Sequence, residues 1–356
     1  MASSETRNES TNHINDCGDE YTQPIYENGR FRNPWETWRD TTFKGLFKFI
    51  FLTKSESKIP DSQELDKTLP VMTPDLSEFS TSPASGIRHM WIGHASSLVQ
   101  FDGITFLTDP IFSDRCAPSQ LFGSKRYRPP PCRIEDLPEV DCVLISHNHY
   151  DHLDYNSVHA LNKRYGDKLR WYVPMGLKKW MHDCGVTNIV ELSWWQEHVH
   201  NEQLNVKIVS TPCQHWCKRA LKDDNQVLWT SWCVVGPKHR FYFAGDTGYC
   251  PGFKQIGKRY GPFTLSTIPI GAYHPRSFLA PQHVDPAQAV DVHNDILSQK
   301  SIGIHWGTFA LSYEFYLEPK ESVKEELQKR GMDPESFITV NHGEITVVGG
   351  DSELKS

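Results

Sequence analysis

No Cys-x-x-Cys pair occurs among the nine cysteines, at positions 17, 116, 132, 142, 184, 213, 217, 233 and 250. Their number is odd, so neither a disulfide framework nor a structural zinc knuckle is indicated, and a reducing compartment is the simpler expectation. Met1 to Asp19 is polar and acidic and lacks an apolar h-region. The expectation is therefore an intracellular protein that is not secreted, in which Asn8-Glu9-Ser10 is an idle sequon. No window reaches the roughly 18 to 20 apolar residues that a spanning helix needs, so any membrane contact is expected to be peripheral. An excess of positive charge is also missing: 37 Lys and Arg stand against 44 Asp and Glu, a net charge of −7. That balance gives no global field for nonspecific nucleic-acid binding, and no nucleic-acid partner is expected. Solenoid repeats are absent too.

The 356 residues are 38% hydrophobic and 12% aromatic, enough for a sizeable core, and 23 Gly with 23 Pro point to many turns. Residues 1–30 read as a disordered tail, rich in Ser, Thr, Asn, Asp and Glu. Residues 31–86 read as an N-terminal arm. Within it Phe43, Leu46, Phe47, Ile50 and Phe51 form one helical stripe flanked by Lys44 and Lys48, a candidate membrane or dimer segment spanning Phe43 to Leu52. Residues 87–350 read as an α/β domain of two packed sheets or one large one. Strands are expected at 88–92, 97–101, 104–108, 140–145, 169–173, 206–210, 227–235, 240–244, 265–270, 301–304 and 337–348, with Asp102-Gly103 as a two-residue hairpin turn. Helices are expected at Tyr155 to Arg164, Gly176 to Cys184, Pro286 to Gln299 and Pro319 to Arg330.

The compositional oddity is 17 histidines. The apolar run Val143-Leu144-Ile145 leads through Ser146 into His147, Asn148, His149, Tyr150, Asp151 and His152, as a buried strand would deliver side chains to its exposed end. Neutral imidazoles with a carboxylate are the donors that borderline zinc prefers, although iron or manganese would also accept them. More potential ligands follow later apolar runs: His215 after Val206 to Thr211, Asp246 after Arg240 to Ala244, and His305 after Ser301 to Ile304. Asp109 follows Ile104 to Thr108. Each has a bland explanation alone, but strand-end placement of the whole set points to a metal centre.

The ordered set His-x-His-x-Asp-His, His, Asp, His resembles the metallo-β-lactamase superfamily, an αββα sandwich with a dinuclear zinc site at one edge. The fold expected is thus a metallo-β-lactamase αββα sandwich with an N-terminal covering arm. Carried over by motif, His147, His149 and His215 would hold one zinc, Asp151, His152 and His305 the other, and Asp246 would bridge them, two Zn²⁺ per chain. Asp109 would orient a ligand imidazole. Longer stretches, among them Asn33-Pro34-Trp35-Glu36-Thr37-Trp38, Gln214-His215-Trp216-Cys217-Lys218-Arg219, Gln282-His283-Val284-Asp285-Pro286 and Ile304-His305-Trp306-Gly307-Thr308-Phe309, resemble the N-acylphosphatidylethanolamine-hydrolysing phospholipase D family.

That resemblance implies hydrolysis of N-acylphosphatidylethanolamine to N-acylethanolamine and phosphatidic acid by a hydroxide shared between two zinc ions attacking phosphorus. It implies Asp151 and His283 as catalytic residues, His283 contacting the phosphate or assisting the leaving alkoxide. It also implies a homodimer meeting its phospholipid at the cytosolic face of a membrane. Trp180, Arg219 and Tyr273 are weaker pocket candidates. A dizinc lactonase or nuclease on the same fold, or a metal-stabilised scaffold without turnover, are the competing readings, the nuclease being disfavoured by charge.

Overall fold

The computed structural model describes residues 21–40 and 57–350. The segment Phe43 to Leu52 lies outside the described residues. Asn28 and Gly29, both at positive φ (52° and 76°), form the two-residue turn that joins β1 (Ile25–Glu27) to β2 (Arg30–Arg32). Residues 21–30 therefore do not belong to a disordered tail, and the expectation for 1–30 is corrected there. Polar composition hid an Asn-Gly turn signal, and the tertiary anchors were invisible. The Phe31 amide donates to the Asn225 carbonyl at 2.7 Å, and Trp195 Nε1 donates to the Thr22 carbonyl at 2.8 Å.

The arm then crosses the domain. Helix α1 (Ser62–Thr68) is capped by Asp61, whose carboxylate accepts from the Glu64 amide at 3.0 Å. It is tied down by the pair Arg128–Asp66 at 2.9 Å and by the hydroxyls of Thr68 and Tyr316 at 2.8 Å.

The first half of the domain forms one sheet in chain order: β3 (Ile87–Gly93), β4 (Ser96–Phe101), β5 (Ile104–Thr108), β6 (Cys142–Leu144), β7 (Arg170–Pro174) and β8 (Ile189–Leu192). Strands β3 to β5 are antiparallel, and Asp102-Gly103 makes the expected turn with φ of 49° and 83°. From β5 to β8 pairing is parallel, so crossovers are needed, and helices α2 (Tyr155–Tyr165) and α3 (Lys178–Asp183) provide two of them. The second half repeats this plan. Strands β9 (Glu197–Asn201), β10 (Val206–Thr211), β11 (Ser231–Val235) and β12 (Arg240–Phe243) are antiparallel. Then β13 (Leu265–Pro269), β14 (Ser301–Ile304) and β15 (Phe337–Ile338) continue in parallel, linked by α4 (Gly252–Tyr260), α5 (Arg276–Leu279), α6 (Pro286–Asp295) and α7 (Glu318–Lys329). Finally β16 (Ile345–Val348) returns to pair with β3.

The run 337–348 is thus two strands in two different sheets. A continuous β-forming stretch does not reveal that the chain changes layer within it; Gly343, at φ 79°, permits the crossing, because a Cβ there would lie 2.2 Å from the Met72 carbonyl oxygen. The run 227–235 begins pairing only at Ser231, and the helix opened by Pro286 stops at Asp295. Strands β1, β2, β8 and β9 and helices α1, α4 and α5 are additions to the expected elements.

The two sheets face each other across an apolar layer. Phe106 packs edge-on to Phe241 at 5.4 Å between ring centroids, and Tyr172 meets Trp232 at 6.2 Å. Trp232 is fully buried, and its indole N–H reaches across to the Ile145 carbonyl at 2.9 Å, satisfying a polar group inside the core. This pins β11 against the strand end from which the histidine loop departs.

Candidate metal centre

Loops at one edge of the sandwich carry the expected ligands. Beyond β6, the Ser146 amide donates to Asp109 Oδ1 at 2.7 Å, and the Ser146 hydroxyl donates to the same carboxylate. Asp109 lies just beyond β5 at φ 31°, with its amide on the Leu144 carbonyl at 2.9 Å. The two strand ends are therefore locked before the histidines begin. Asp109 Oδ2 then accepts from His152 Nδ1 at 2.6 Å. An imidazole that donates from Nδ1 turns its Nε2 lone pair outward, the form a metal binds. His215 is held likewise, donating from Nδ1 to the Gln282 carbonyl at 2.9 Å. His147 Nδ1 lies 2.9 Å from the Ser146 hydroxyl, which is already committed as a donor to Asp109 and so accepts.

Two donor clusters result. In the first, His149 Nδ1 lies 2.8 Å from His147 Nε2 and 3.2 Å from His215 Nε2. In the second, His152 Nε2 lies 3.4 Å and His305 Nε2 3.6 Å from Asp151 Oδ2. Asp246 stands between them: Oδ2 is 3.0 Å from His152 Nε2 and 3.8 Å from His215 Nε2, while Oδ1 is 3.0 Å from His305 Nε2. Nitrogens bound to one zinc at about 2.0–2.1 Å must lie within roughly 4 Å of one another, and the donor atoms of each histidine group here lie within 4.8 Å of one another before any ion draws them in. Nε2 of His149, His152 and His305 and Oδ1 of Asp246 are buried without a hydrogen-bond partner among the described residues. Unpaired buried polar atoms cost stability unless something completes them. The arrangement fits divalent cations, with each cluster drawing residues from both halves of the domain.

The electrostatics agree. Burial holds the imidazoles of His149 and His215 down, to about 4 and about 3, and pushes His147 well below the ordinary range. All three are neutral at physiological pH. Burial opposes charge on His152 and His305 as well, yet Asp246 and Asp151 overcome it, raising His305 to about 9 and His152 well above its ordinary value. Both carboxylates are held ionised against their own burial, chiefly by His152. Raised in this way, His152 and His305 carry protons that balance the two carboxylates, and a cation bound at the same nitrogens would replace that charge.

His283 lies ahead of the following helix. The helix begins at Pro286, and Asp285 is its cap, accepting from the Gln288 amide at 2.9 Å. His283 stands earlier, its amide donating to the Leu279 carbonyl at 2.9 Å, with Nδ1 3.9 Å from Asp246 Oδ2 and without a hydrogen-bond partner among the described residues. Arg219 lies over Tyr150 at 4.1 Å and Trp180 at 4.8 Å, and donates to the carbonyls of Asn148 and Leu153 at 3.2 and 2.7 Å. It clamps the histidine loop from outside. Tyr273 is buried, donating to Glu318 at 2.6 Å. One residue was missed: His94, between β3 and β4, places Nε2 3.0 Å from Asp151 Oδ2. Its sequence signal was weak, because the same hairpin also carries His89, and a histidine between two buried strands reads as a core histidine.

A profile described as the Beta-lactamase superfamily domain matches residues 105–306. The N-acyl-phosphatidylethanolamine-hydrolyzing phospholipase D 1 of Caenorhabditis elegans is 41% identical over 340 residues, covering 92% of this chain and 94% of that protein. The mitochondrial N-acyl-phosphatidylethanolamine-hydrolyzing phospholipase D of Saccharomyces cerevisiae is 32% identical over 339 residues, 85% of this chain and 72% of that protein. Among solved structures, an isothiocyanate hydrolase from Delia radicum gut bacteria superposes with a TM-score of 0.58 at 19% identity, over 74% of this chain and 99% of that one, a likeness of fold.

Proposed function

The chain belongs to the N-acyl-phosphatidylethanolamine-hydrolysing phospholipase D family of the β-lactamase superfamily, and from that premise we propose that it hydrolyses N-acylphosphatidylethanolamine to N-acylethanolamine and phosphatidic acid at a membrane surface. The observation that carries this reading is 41% identity across 92% of the chain, joined to a buried histidine and aspartate set able to hold metal.

In this reading His147, His149 and His215 hold one zinc, Asp151, His152 and His305 the other, and Asp246 serves both. Two such ions, when bound, lower the pKa of water and neutralise phosphoryl oxygens. The chain's own residues do the rest. Asp109 and the Gln282 carbonyl keep His152 and His215 in the tautomer that offers Nε2. His283 is held down to about 3, mainly by burial, so it enters the reaction neutral and donates an N–H to a phosphoryl oxygen. Adjacent cations would disfavour its protonated form further. A double-chain lipid leaves a bilayer at a cost of about 0.8 kcal/mol per CH₂, so the enzyme works as a peripheral protein on intracellular membranes. No helix among the described residues is long and apolar enough to cross one. A homodimer completes the proposal, with Phe43 to Leu52 facing lipid or the second copy.

Mass spectrometry of products after incubation with N-acylphosphatidylethanolamine vesicles tests the reaction. N-Acylethanolamine with phosphatidic acid is the expected pair. Diacylglycerol with a phosphorylated N-acylethanolamine would place the cut on the other phosphoester bond, and no product from the metal-loaded protein would remove the activity altogether.

A further inference from the structure

His94 is buried, its ring centroid 4.1 Å from that of His305 and 5.1 Å from that of His152. Its backbone is in the left-handed region at φ 54°, which a residue other than glycine occupies only when its surroundings enforce it. They do so at three points. The His94 amide donates to Thr308 Oγ1 at 2.7 Å, and the His94 carbonyl accepts from the His305 amide at 2.9 Å and from Trp91 Nε1 at 3.0 Å. Thr308 Oγ1 is itself 3.1 Å from His342 Nε2, and Phe309 closes edge-on against the His94 ring at 5.3 Å. So many constraints on a single turn residue fix where its side chain points, and it points at Asp151.

We propose that His94 is a positioning residue, donating from Nε2 to Asp151 Oδ2 and holding that carboxylate in the orientation a bound cation requires. This rests on the assignment of Asp151 to a metal. Ligation by His94 itself is the competing role, since its nitrogen falls within 4.8 Å of the donor atoms of Asp151, His152 and His305. Two features favour positioning. His94 Nε2 meets Asp151 Oδ2 in hydrogen-bond geometry at 3.0 Å, whereas Nε2 of His152 and of His305, equally near Asp246 oxygens, have no hydrogen-bond partner among the described residues and so are the nitrogens left for a metal. Asp151, His152, His305 and Asp246 already supply four donors, and a fifth would fill the position that catalytic metal sites keep open.

The test compares His94→Gln with His94→Asn. The glutamine amide nitrogen extends about as far as Nε2 and keeps the donor; the asparagine amide does not reach Asp151, although asparagine tolerates the left-handed backbone well. Zinc affinity is read by chelator competition, and geometry by the visible spectrum of the cobalt-substituted protein. His94→Asn should hold one metal equivalent 10- to 100-fold more weakly, with an altered cobalt spectrum, the usual scale for losing an orienting hydrogen bond. His94→Gln should stay close to wild type. Unchanged affinity in His94→Asn overturns the proposal, and so does an equal loss in His94→Gln, which would mark the imidazole as a ligand. Asp151→Asn is the control: if it keeps both ions as tightly as wild type, the site assignment has failed rather than the positioning role.

Discussion

Individual side chains at this site differ in what they risk. His283 faces Asp246 and lies within 4.8 Å of the donor atoms of His215 and Asp246, but the proposed assignment fills both clusters without it. His283→Asn should keep wild-type zinc content while kcat/KM falls by about 10²-fold, the scale of a lost phosphoryl hydrogen bond. Because the imidazole is neutral before substrate arrives, substrates with good and poor leaving groups should suffer alike; selective rescue by a better leaving group would instead make it a proton donor. Burial of histidine also sets the response of the fold to acid. His89, fully buried beside Ser97 Oγ at 2.9 Å, is pushed down to about 3 by its burial. Unfolded histidine titrates near 6.5, so between these values the unfolded chain binds the extra proton and stability falls as pH falls. The contribution is whole above about pH 6.5 and is lost at up to about 1.4 kcal/mol per pH unit below it. Urea denaturation should show a shallower loss between about pH 6.5 and 4 for His89→Gln than for wild type. Parallel curves would mean that His89 is not neutral in the native state.

Strand ends and their turns do the aiming. His94, Asp109 and His305 all adopt positive φ, at 54°, 31° and 62°. Such strain is sustained by the strands that flank each of them. Gly245 plays the same part directly before Asp246, at φ 60°, where a Cβ would lie 2.7 Å from Ser146 Cβ and 3.2 Å from the Thr230 carbonyl oxygen. Gly245→Ala should therefore displace Asp246 or Ser146, costing about 1–3 kcal/mol in stability and weakening metal retention. Calorimetry with elemental analysis checks both; an alanine variant with native stability and full metal content would show that this turn has slack. Strands such as 104–108 and 301–304 were legible from their β-branched runs. The sheet switch inside 337–348 was not, because local preference does not record which partner a strand chooses.

At the scale of the molecule, the two halves repeat one plan, and the proposed ligands are divided between them. His147, His149, Asp151 and His152 come from the first sheet's edge, and His215, Asp246 and His305 from the second. Each bound ion would therefore tie one half to the other, as the N-terminal arm also does, with Asp66 on Arg128 of the first half at 2.9 Å and Asn33 Nδ2 donating to the His215 carbonyl of the second at 2.7 Å. Removing metal with a chelator should lower the melting temperature, and zinc should restore it. A free ion 100-fold above its Kd contributes about 2.7 kcal/mol. Differential scanning fluorimetry across a zinc titration would show this, and a melting temperature indifferent to metal would argue that the halves are held by the core alone.

The residues that gather at the candidate metal centre were legible in the sequence because metal donors are a short list of residue types and because apolar runs mark the strands that present them. His147, His149, Asp151, His152, His215, Asp246 and His305 could each be named from what precedes it. Tertiary structure alone decided the distances among them, the choice of nitrogen each imidazole offers, and the partnership of His94 with Asp151 across 57 residues of chain. It also decided that residues 25–32 form a hairpin pinned to the second half of the domain. The physical reason is one of range. Residue type and local periodicity follow from neighbours along the chain, whereas hydrogen-bond partners and shared charge depend on which distant strand ends the packed sheets bring to one edge.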